Sequence, residues 1–154
     1  QEKTAEVIVA LESMKGMLLS SEANAKLNQW GVMTPDRRSI MAIMNYFPRI
    51  YPRFTEILQL IGASGLVMLP SQTDFDSENR GDLDKYMQAA NSEAYDRVKK
   101  FRLAWDACMT SFGTRQTQYE RYFYGDPIRL AGKIYQDYDR QALVDRIQSF
   151  LDDK

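Results

Sequence analysis

The sequence contains no histidine and a single cysteine, Cys108, among its 154 residues. Without histidine, the chain lacks the commonest general base and the commonest metal ligand, and no Ser-His or Cys-His nucleophile can form within it. One cysteine excludes a disulfide scaffold, and no zinc or iron–sulfur site is expected within the chain. Because Cys108 falls on an apolar stripe, we interpret it as a buried structural thiol.

Glycine and proline are also scarce, at 8 and 5 residues, whereas 44% of the residues are hydrophobic and 12% aromatic. This composition excludes a collagen-like or low-complexity chain and argues against disorder over most of the length. We therefore expect one domain over residues 1–154, large enough to bury a core without disulfides or a structural metal.

Neither sign of charge dominates, since 20 Lys and Arg stand against 21 Asp and Glu and leave a net charge of −1. Such a balance gives no general attraction to nucleic acid or to a membrane surface, and neither is expected as a partner. No apolar run approaches the roughly 20 residues that span a bilayer, and no signal-peptide pattern is present, so we expect a cytoplasmic location. Because the chain begins at Gln1, we interpret it as a fragment of a longer protein.

Apolar residues recur at helical spacing along most of the chain. The first helix is predicted from Thr4 to about Trp30, with a glycine as its stop, and the second begins with Thr34 as its N-cap. A seven-residue apolar repeat continues through Pro48 and Pro52 without losing phase, although proline disrupts a helix interior. The conflict predicts either a kinked helix or two helices nearly in line.

The second half of the chain is predicted to hold two further main helices and one short helix. A polar, acidic stretch over 71–84 is expected to be an exposed loop, followed by a short helix near 83–90. A third long helix is expected with Asn91 or Ser92 as its N-cap. It places on its inner stripe Val98, Phe101, Trp105, Cys108, Phe112, Arg115, Tyr119 and Tyr122. After a break near Pro127 and a short segment over 128–132, the last helix covers about 140–152.

The predicted elements form an all-α antiparallel helical bundle. Its expected core includes the residues Phe47, Tyr51, Phe54, Phe101 and Trp105. The inward residues of the last helix are expected to be Leu143, Ile147, Phe150 and Leu151.

Arg115 is the unusual residue of this pattern, because the repeat places a guanidinium on the inner stripe. In one interpretation Arg115 pairs with an internal carboxylate such as Glu120 or Asp106. In the other it binds an anion from outside the chain, for which the arginine fork suits phosphate. Gly113, nearby, would then let a ligand approach the backbone. The residue pattern leaves both interpretations open.

Several segments, in this order and spacing, resemble the C-terminal domain of the 4-hydroxyphenylacetate 3-monooxygenase family. They are residues 35–38, 51–53, 65–71, 97–106, 111–116 and 119–127. The resemblance implies the helical C-terminal bundle of an acyl-CoA dehydrogenase-like architecture, packed into a homotetramer with neighbouring subunits. It also implies an oxygenase component that takes reduced FAD from a separate flavin reductase and uses O2 to hydroxylate a phenol, such as 4-hydroxyphenylacetate, next to its hydroxyl group.

The resemblance also assigns residues. A motif that helps to hold the FAD falls on Phe112, Gly113, Thr114 and Arg115, with Thr114 where the family has a smaller residue, and Gln116 follows it. The family's catalytic and phenol-binding residues lie upstream, so no catalytic residue and no metal ligand is assigned here, and this chain alone is expected to be inactive. The alternatives are a domain of a 4-hydroxybutyryl-CoA dehydratase-like enzyme and a non-catalytic helical interaction module.

Overall fold

The computed structural model describes residues 1–152, which are helical apart from one two-residue ladder and the connections. The elements are α1 (Glu2–Ala23), β1 (Lys26–Leu27), β2 (Met33–Thr34), α2 (Arg37–Gly62), a 3-10 turn (Ala63–Leu66), α3 (Gln72–Phe75), α4 (Arg80–Tyr86), α5 (Ala94–Cys108), α6 (Ser111–Tyr122), α7 (Pro127–Asp137) and α8 (Gln141–Asp152). The predicted all-α class is confirmed. Among the described residues, no helix is both long and apolar enough to cross a membrane.

The described residues fall into two compact units. The first comprises Gln1–Arg49 together with the residues from Tyr122 onward, and the second comprises Ile50–Arg121. The buried apolar side chains of the first unit include Ala10, Met41 and Leu130. A single domain over residues 1–154 stays a prediction.

The first helix is shorter than predicted, because α1 ends at Ala23 and the chain enters a hairpin. Asn28 organises the turn, since its Oδ1 accepts hydrogen bonds from the backbone N–H groups of Trp30 and Val32 at 2.9 and 3.0 Å. Gly31, predicted as the helix stop, instead takes a positive φ of 72° within that turn, a conformation that glycine adopts without steric cost.

The second helix begins two residues later than predicted. Thr34 lies in β2, where its hydroxyl donates to the Lys26 carbonyl, and Asp36 caps α2 instead by accepting from the Ser39 N–H at 3.0 Å. Pro48 and Pro52 both lie inside the single helix α2, so the alternative of two separate helices is wrong.

The predicted loop over 71–84 is wrong, because α3 and α4 occupy most of it. Ser71 and Asp74 form a reciprocal capping box, in which each side chain satisfies the other's backbone N–H, and such a box starts a helix even in a polar stretch. Phe75, at the end of α3, packs with Ala94 and Val98 into a buried cluster. In this stretch, polar residues therefore flank one buried core residue, Phe75.

The predicted third helix is two helices, α5 and α6, separated by Met109 and Thr110. Cys108, the last residue of α5, is buried as predicted, and its Sγ donates to the Ala104 carbonyl. Burial raises the pKa of the Cys108 thiol. Because the helix stops there, the apolar phase of α5 does not continue into α6.

α7 and α8 complete the first unit. Asp126 caps α7 by accepting from the Ile128 N–H at 2.9 Å, and α7 runs to Asp137 instead of ending at 132. α8 covers the predicted range, but its predicted inward residues are exposed, because no element of the described chain covers them. This α8 face consists of Leu143, Val144, Ile147, Phe150 and Leu151.

The predicted aromatic core is only half-buried. None of its five members reaches full burial, and these are Phe47, Tyr51, Phe54, Phe101 and Trp105. In the second unit the fully buried apolar positions are taken by other side chains, among them Ile57, Leu66 and Phe75.

Candidate functional site

The segment predicted to bind the cofactor begins with the N-terminal cap of α6. The Thr110 hydroxyl accepts from the Gly113 N–H at 3.1 Å and donates to the Asp106 carbonyl at 2.7 Å. A threonine that satisfies the third N–H of a helix is a standard N-cap. The cap closes α5 and opens α6, and it presents the positive end of the α6 dipole at residues 111–113.

Gly113 is required by the packing of the chain itself. It is buried, and a Cβ at this position would lie 2.6 Å from the Ala107 carbonyl oxygen and 2.7 Å from that of Asp106. No side chain fits against backbone at those distances. Close approach of a ligand, the use predicted for this glycine, is therefore not needed to explain it.

Arg115 is exposed, so its predicted place on the inner stripe is wrong. In residues 1–152 its guanidinium forms no ion pair and no hydrogen bond, and the pairing with Glu120 or Asp106 is absent. The physical reason is the helix break at 109–110, which gives α6 its own rotational phase. A free guanidinium on a helix surface is available to an external anion.

Aromatic side chains flank Arg115. Phe112, Tyr119 and Tyr122 are 66%, 56% and 56% exposed, and they recur at spacings of three, four and three residues with Arg115. At 100° per residue these four lie within a single stripe of the helix, here named the α6 face. It offers a cation among rings, a surface suited to an anionic ligand that carries a flat ring system.

The structure brings together some of the predicted residues and separates others. Phe112, Arg115 and Gln116 point to one side of α6, within about 100° of one another, whereas Thr114 lies about 160° around the helix from Phe112. Thr114 is exposed, and Gly113 is buried against α5.

Gln116 is held by Glu120, a pairing that the sequence analysis missed because it considered Glu120 as a partner of Arg115. Its Nε2 donates to the Glu120 carboxylate at 2.6 Å, which leaves the amide oxygen of Gln116 as a free acceptor within this pair. Burial, together with the charge of Glu120, raises the pKa of the Tyr51 phenol. The spacing of four residues between Gln116 and Glu120 was the available signal.

Comparison with known proteins gives a family match over nearly the whole chain. The family model described as 4-hydroxyphenylacetate 3-hydroxylase C terminal matches residues 1–152. A probable 4-hydroxyphenylacetate 3-monooxygenase of Bacillus subtilis (strain 168) is 54% identical over 151 residues, which cover 98% of this chain and 31% of that protein. The chain thus spans about a third of the length of the relatives it matches.

Solved structures agree in fold. The oxygenase component of 4-hydroxyphenylacetate 3-monooxygenase, complexed with FAD and 4-hydroxyphenylacetate, is 46% identical with a TM-score of 0.93, covering 99% of this chain and 32% of that one. An archaeal 4-hydroxybutyryl-CoA dehydratase from N. maritimus is 18% identical with a TM-score of 0.80, covering 96% of this chain and 31% of that one. The second likeness shows the shared helical bundle alone.

Proposed function

The chain belongs to the 4-hydroxyphenylacetate 3-hydroxylase C-terminal family, and from this membership we propose that it is the C-terminal, flavin-contacting region of an FAD-dependent phenol hydroxylase. The reaction is the O2-dependent hydroxylation of 4-hydroxyphenylacetate or a similar phenol next to its hydroxyl group. The identity and coverage of the relatives support this assignment. The observation that supports a flavin-binding role for this chain is the guanidinium of Arg115 on the α6 face, which is exposed and has no ion-pair partner in residues 1–152.

The residues present fit an FAD that is held at its phosphate and adenosine end. Arg115 supplies a cationic fork for the pyrophosphate, and Phe112 supplies an exposed ring one turn before it. Gln116, fixed by Glu120, supplies an acceptor for a ribose hydroxyl or an adenine amine. The bound FAD supplies the redox chemistry of O2 activation, and these side chains bind and orient it.

Other parts of the activity are proposed to lie outside this chain. Since the chain has no histidine and spans about a third of its relatives, the phenol is bound mainly by upstream residues, and the chain alone is inactive. A separate flavin reductase supplies reduced FAD, and the full-length enzyme is a cytoplasmic homo-oligomer, proposed to be a tetramer.

The dehydratase and the helical interaction module are the weaker proposals. The dehydratase likeness has 18% identity, whereas a monooxygenase relative has 54%. A free-standing module does not account for a match over residues 1–152 to a family described as the C terminus of a hydroxylase.

The test is the affinity of the full-length enzyme for FAD after substitution of Arg115. We expect Arg115→Ala to weaken FAD binding about ten- to hundredfold, because one charge-assisted hydrogen-bonded contact is worth about 1.5–3 kcal/mol. Arg115→Lys should restore part of the affinity, since an ammonium keeps the charge but cannot fork. Arg121→Ala, also exposed on α6, is the matched control and should bind FAD normally.

The outcomes separate the two interpretations of Arg115. Normal FAD binding by Arg115→Ala, with a lower unfolding temperature, would show that Arg115 stabilises the bundle and that FAD is held elsewhere. Equal losses in Arg115→Ala and Arg121→Ala would indicate a general charge effect and would also contradict the proposal.

A further inference from the structure

A cavity of about 390 Å³ lies between α3 and α5 in the second unit. We name it the α3–α5 pocket, and the residues that matter for its chemistry are Gln72, Phe75, Tyr95, Val98, Lys99 and Arg102. A cavity of about 150 Å³ is enough to hold benzene, so this pocket has room for a six-membered ring with a short side chain. It lies at the lower end of the size range of small-molecule sites.

The floor of the pocket is apolar and aromatic. Phe75 and Val98 are only 3% and 5% exposed, and the Phe75 and Tyr95 rings meet edge to face with centroids 5.2 Å apart. The Tyr95 hydroxyl donates to Gln72 Oε1 at 2.9 Å and so ties α5 to α3. This hydrogen bond holds the floor in place. Because the two rings meet edge to face, the floor presents both a ring face and a ring edge, against which an aromatic ligand can pack.

Two cations stand on the α5 wall of the pocket, one turn apart. The Lys99 ammonium lies 4.6 Å from the centroid of the Tyr95 ring and makes no ion pair in the described part of the chain. The Arg102 guanidinium is fixed by the Leu69 and Pro70 carbonyls, to which Nη2 and Nε donate at 2.7–3.2 Å. Its Nη1 donates to none of residues 1–152 and remains for another acceptor.

We propose that the α3–α5 pocket binds a small aromatic carboxylate. The ring lies on the floor formed by Phe75, Tyr95 and Val98, and the carboxylate accepts hydrogen bonds from Lys99 Nζ and Arg102 Nη1. The backbone clamp on Arg102 orients its guanidinium before binding, which lowers the entropy lost when the carboxylate docks. The site is separate from the α6 face and does not depend on FAD.

The shape and charge of the pocket favour this class over other ligands. A cationic ligand would face two cations without a carboxylate in the lining. A bare phosphate would use the two donors and make no contact with the aromatic floor, which forgoes the apolar contribution to binding. An uncharged aromatic ring would fill the floor and leave both cations without an anion.

Residue-specific lysine modification tests the proposal in full-length, FAD-free protein. Reductive methylation of Lys99 is followed by peptide mass spectrometry with phenylacetate, with its neutral analogue phenylacetamide, and with inorganic phosphate. Lys100 is the internal control, because it is the next residue, is exposed on the same helix, and does not line the pocket. We expect phenylacetate to slow methylation of Lys99 and not of Lys100, and the other two probes to protect Lys99 weakly.

A second measurement is calorimetry with phenylacetate in full-length protein, in which the upstream phenol site of the proposed function and the α3–α5 pocket give separate binding events. Lys99→Gln should weaken the event at the pocket about fivefold, or about 1 kcal/mol, as expected for one partly exposed ion pair, and should leave the upstream event unchanged. Lys100→Gln should leave both events unchanged. Protection of Lys99 by phosphate as strong as that by phenylacetate would overturn the aromatic part of the proposal. No protection by any probe, or a Lys99 that is unreactive without ligand, would overturn the site altogether.

Discussion

Substitution of Gly113 by alanine is the sharpest test of the α5–α6 corner. The new methyl group would lie 2.6 Å from the Ala107 carbonyl oxygen, 2.7 Å from the Asp106 carbonyl oxygen and 2.8 Å from the Ala107 carbonyl carbon. All three atoms belong to the backbone, so no side chain can rotate away. Either the corner opens or the Thr110 cap loses its contact with the Gly113 N–H.

The magnitude follows from two opposing effects. Alanine is favoured over glycine in a helix by about 1 kcal/mol, whereas overpacking against a fixed wall typically costs about 1–3 kcal/mol. Contact distances this short place the cost at the upper end, and so we expect Gly113→Ala to lower the free energy of unfolding by about 1–2 kcal/mol.

Gly132→Ala provides the matched control, since Gly132 lies inside α7 and nothing lies within 4 Å of the position that a Cβ would take there. The same substitution should there raise the free energy of unfolding by up to about 1 kcal/mol. Urea denaturation followed by circular dichroism measures both variants. A Gly113→Ala protein as stable as the parent, beside a Gly132→Ala protein that shows the expected gain, would refute the steric argument.

Three further expectations concern charge, burial and association. Hydrogen bonding from the Ser39 backbone N–H is the main cause that lowers the pKa of Asp36, so the stability advantage of the parent over Asp36→Asn should be complete above the ordinary aspartate pKa of about 3.9 and should vanish as the pH falls through the lowered value of the folded state. A difference between these two proteins that stays constant from pH 7 to pH 2 in denaturation experiments would contradict this expectation. Because burial raises the pKa of Cys108, its thiol should react with a disulfide reagent far more slowly in the folded protein than in urea, and equal rates would argue against it. The α8 face, with Phe150 77% exposed, predicts self-association through apolar contact, and light scattering that gives a strictly monomeric mass at high micromolar concentration would count against this.

Helix content was predictable from the sequence because apolar spacing and capping residues act locally. The positions of α1, α2, α5 and α8 follow from patterns of this kind. The capping box of Ser71 and Asp74 is equally local, and giving more weight to it than to the acidic composition of 71–84 would have predicted α3.

The rotational orientation of α6, which decides which of its side chains face inward, could not be predicted from the sequence in the same way. A continuous apolar repeat from Val98 to Tyr122 predicted one helix, and the repeat carried Arg115 inward. The break depends on Thr110 bonding to the Asp106 carbonyl and on Gly113 fitting against the Ala107 carbonyl, contacts over four to six residues that an apolar repeat does not record. The cap and the close fit of glycine at the α5–α6 corner thus decided the orientation of the candidate site.

Periodicity also could not predict whether the apolar side chains of α8 are buried. The repeat of Leu143, Ile147 and Phe150 correctly indicates an apolar helix face, but periodicity does not say which surface covers it. In the described chain that face is open, and in the proposed full-length oligomer other subunits or domains are its expected partners.

The two-residue connection between α5 and α6 has a consequence for how this family can vary in length. Each residue added or removed within Met109–Thr110 would turn α6 by about 100° and shift it by about 1.5 Å relative to α5. One such change would turn both Arg115 and Phe112 away from their present surroundings. It would also press a different side chain against Ala107, where only glycine fits. Homologous proteins are therefore expected to keep this connection at constant length, and to accept insertions in the exposed stretch that joins α4 to α5.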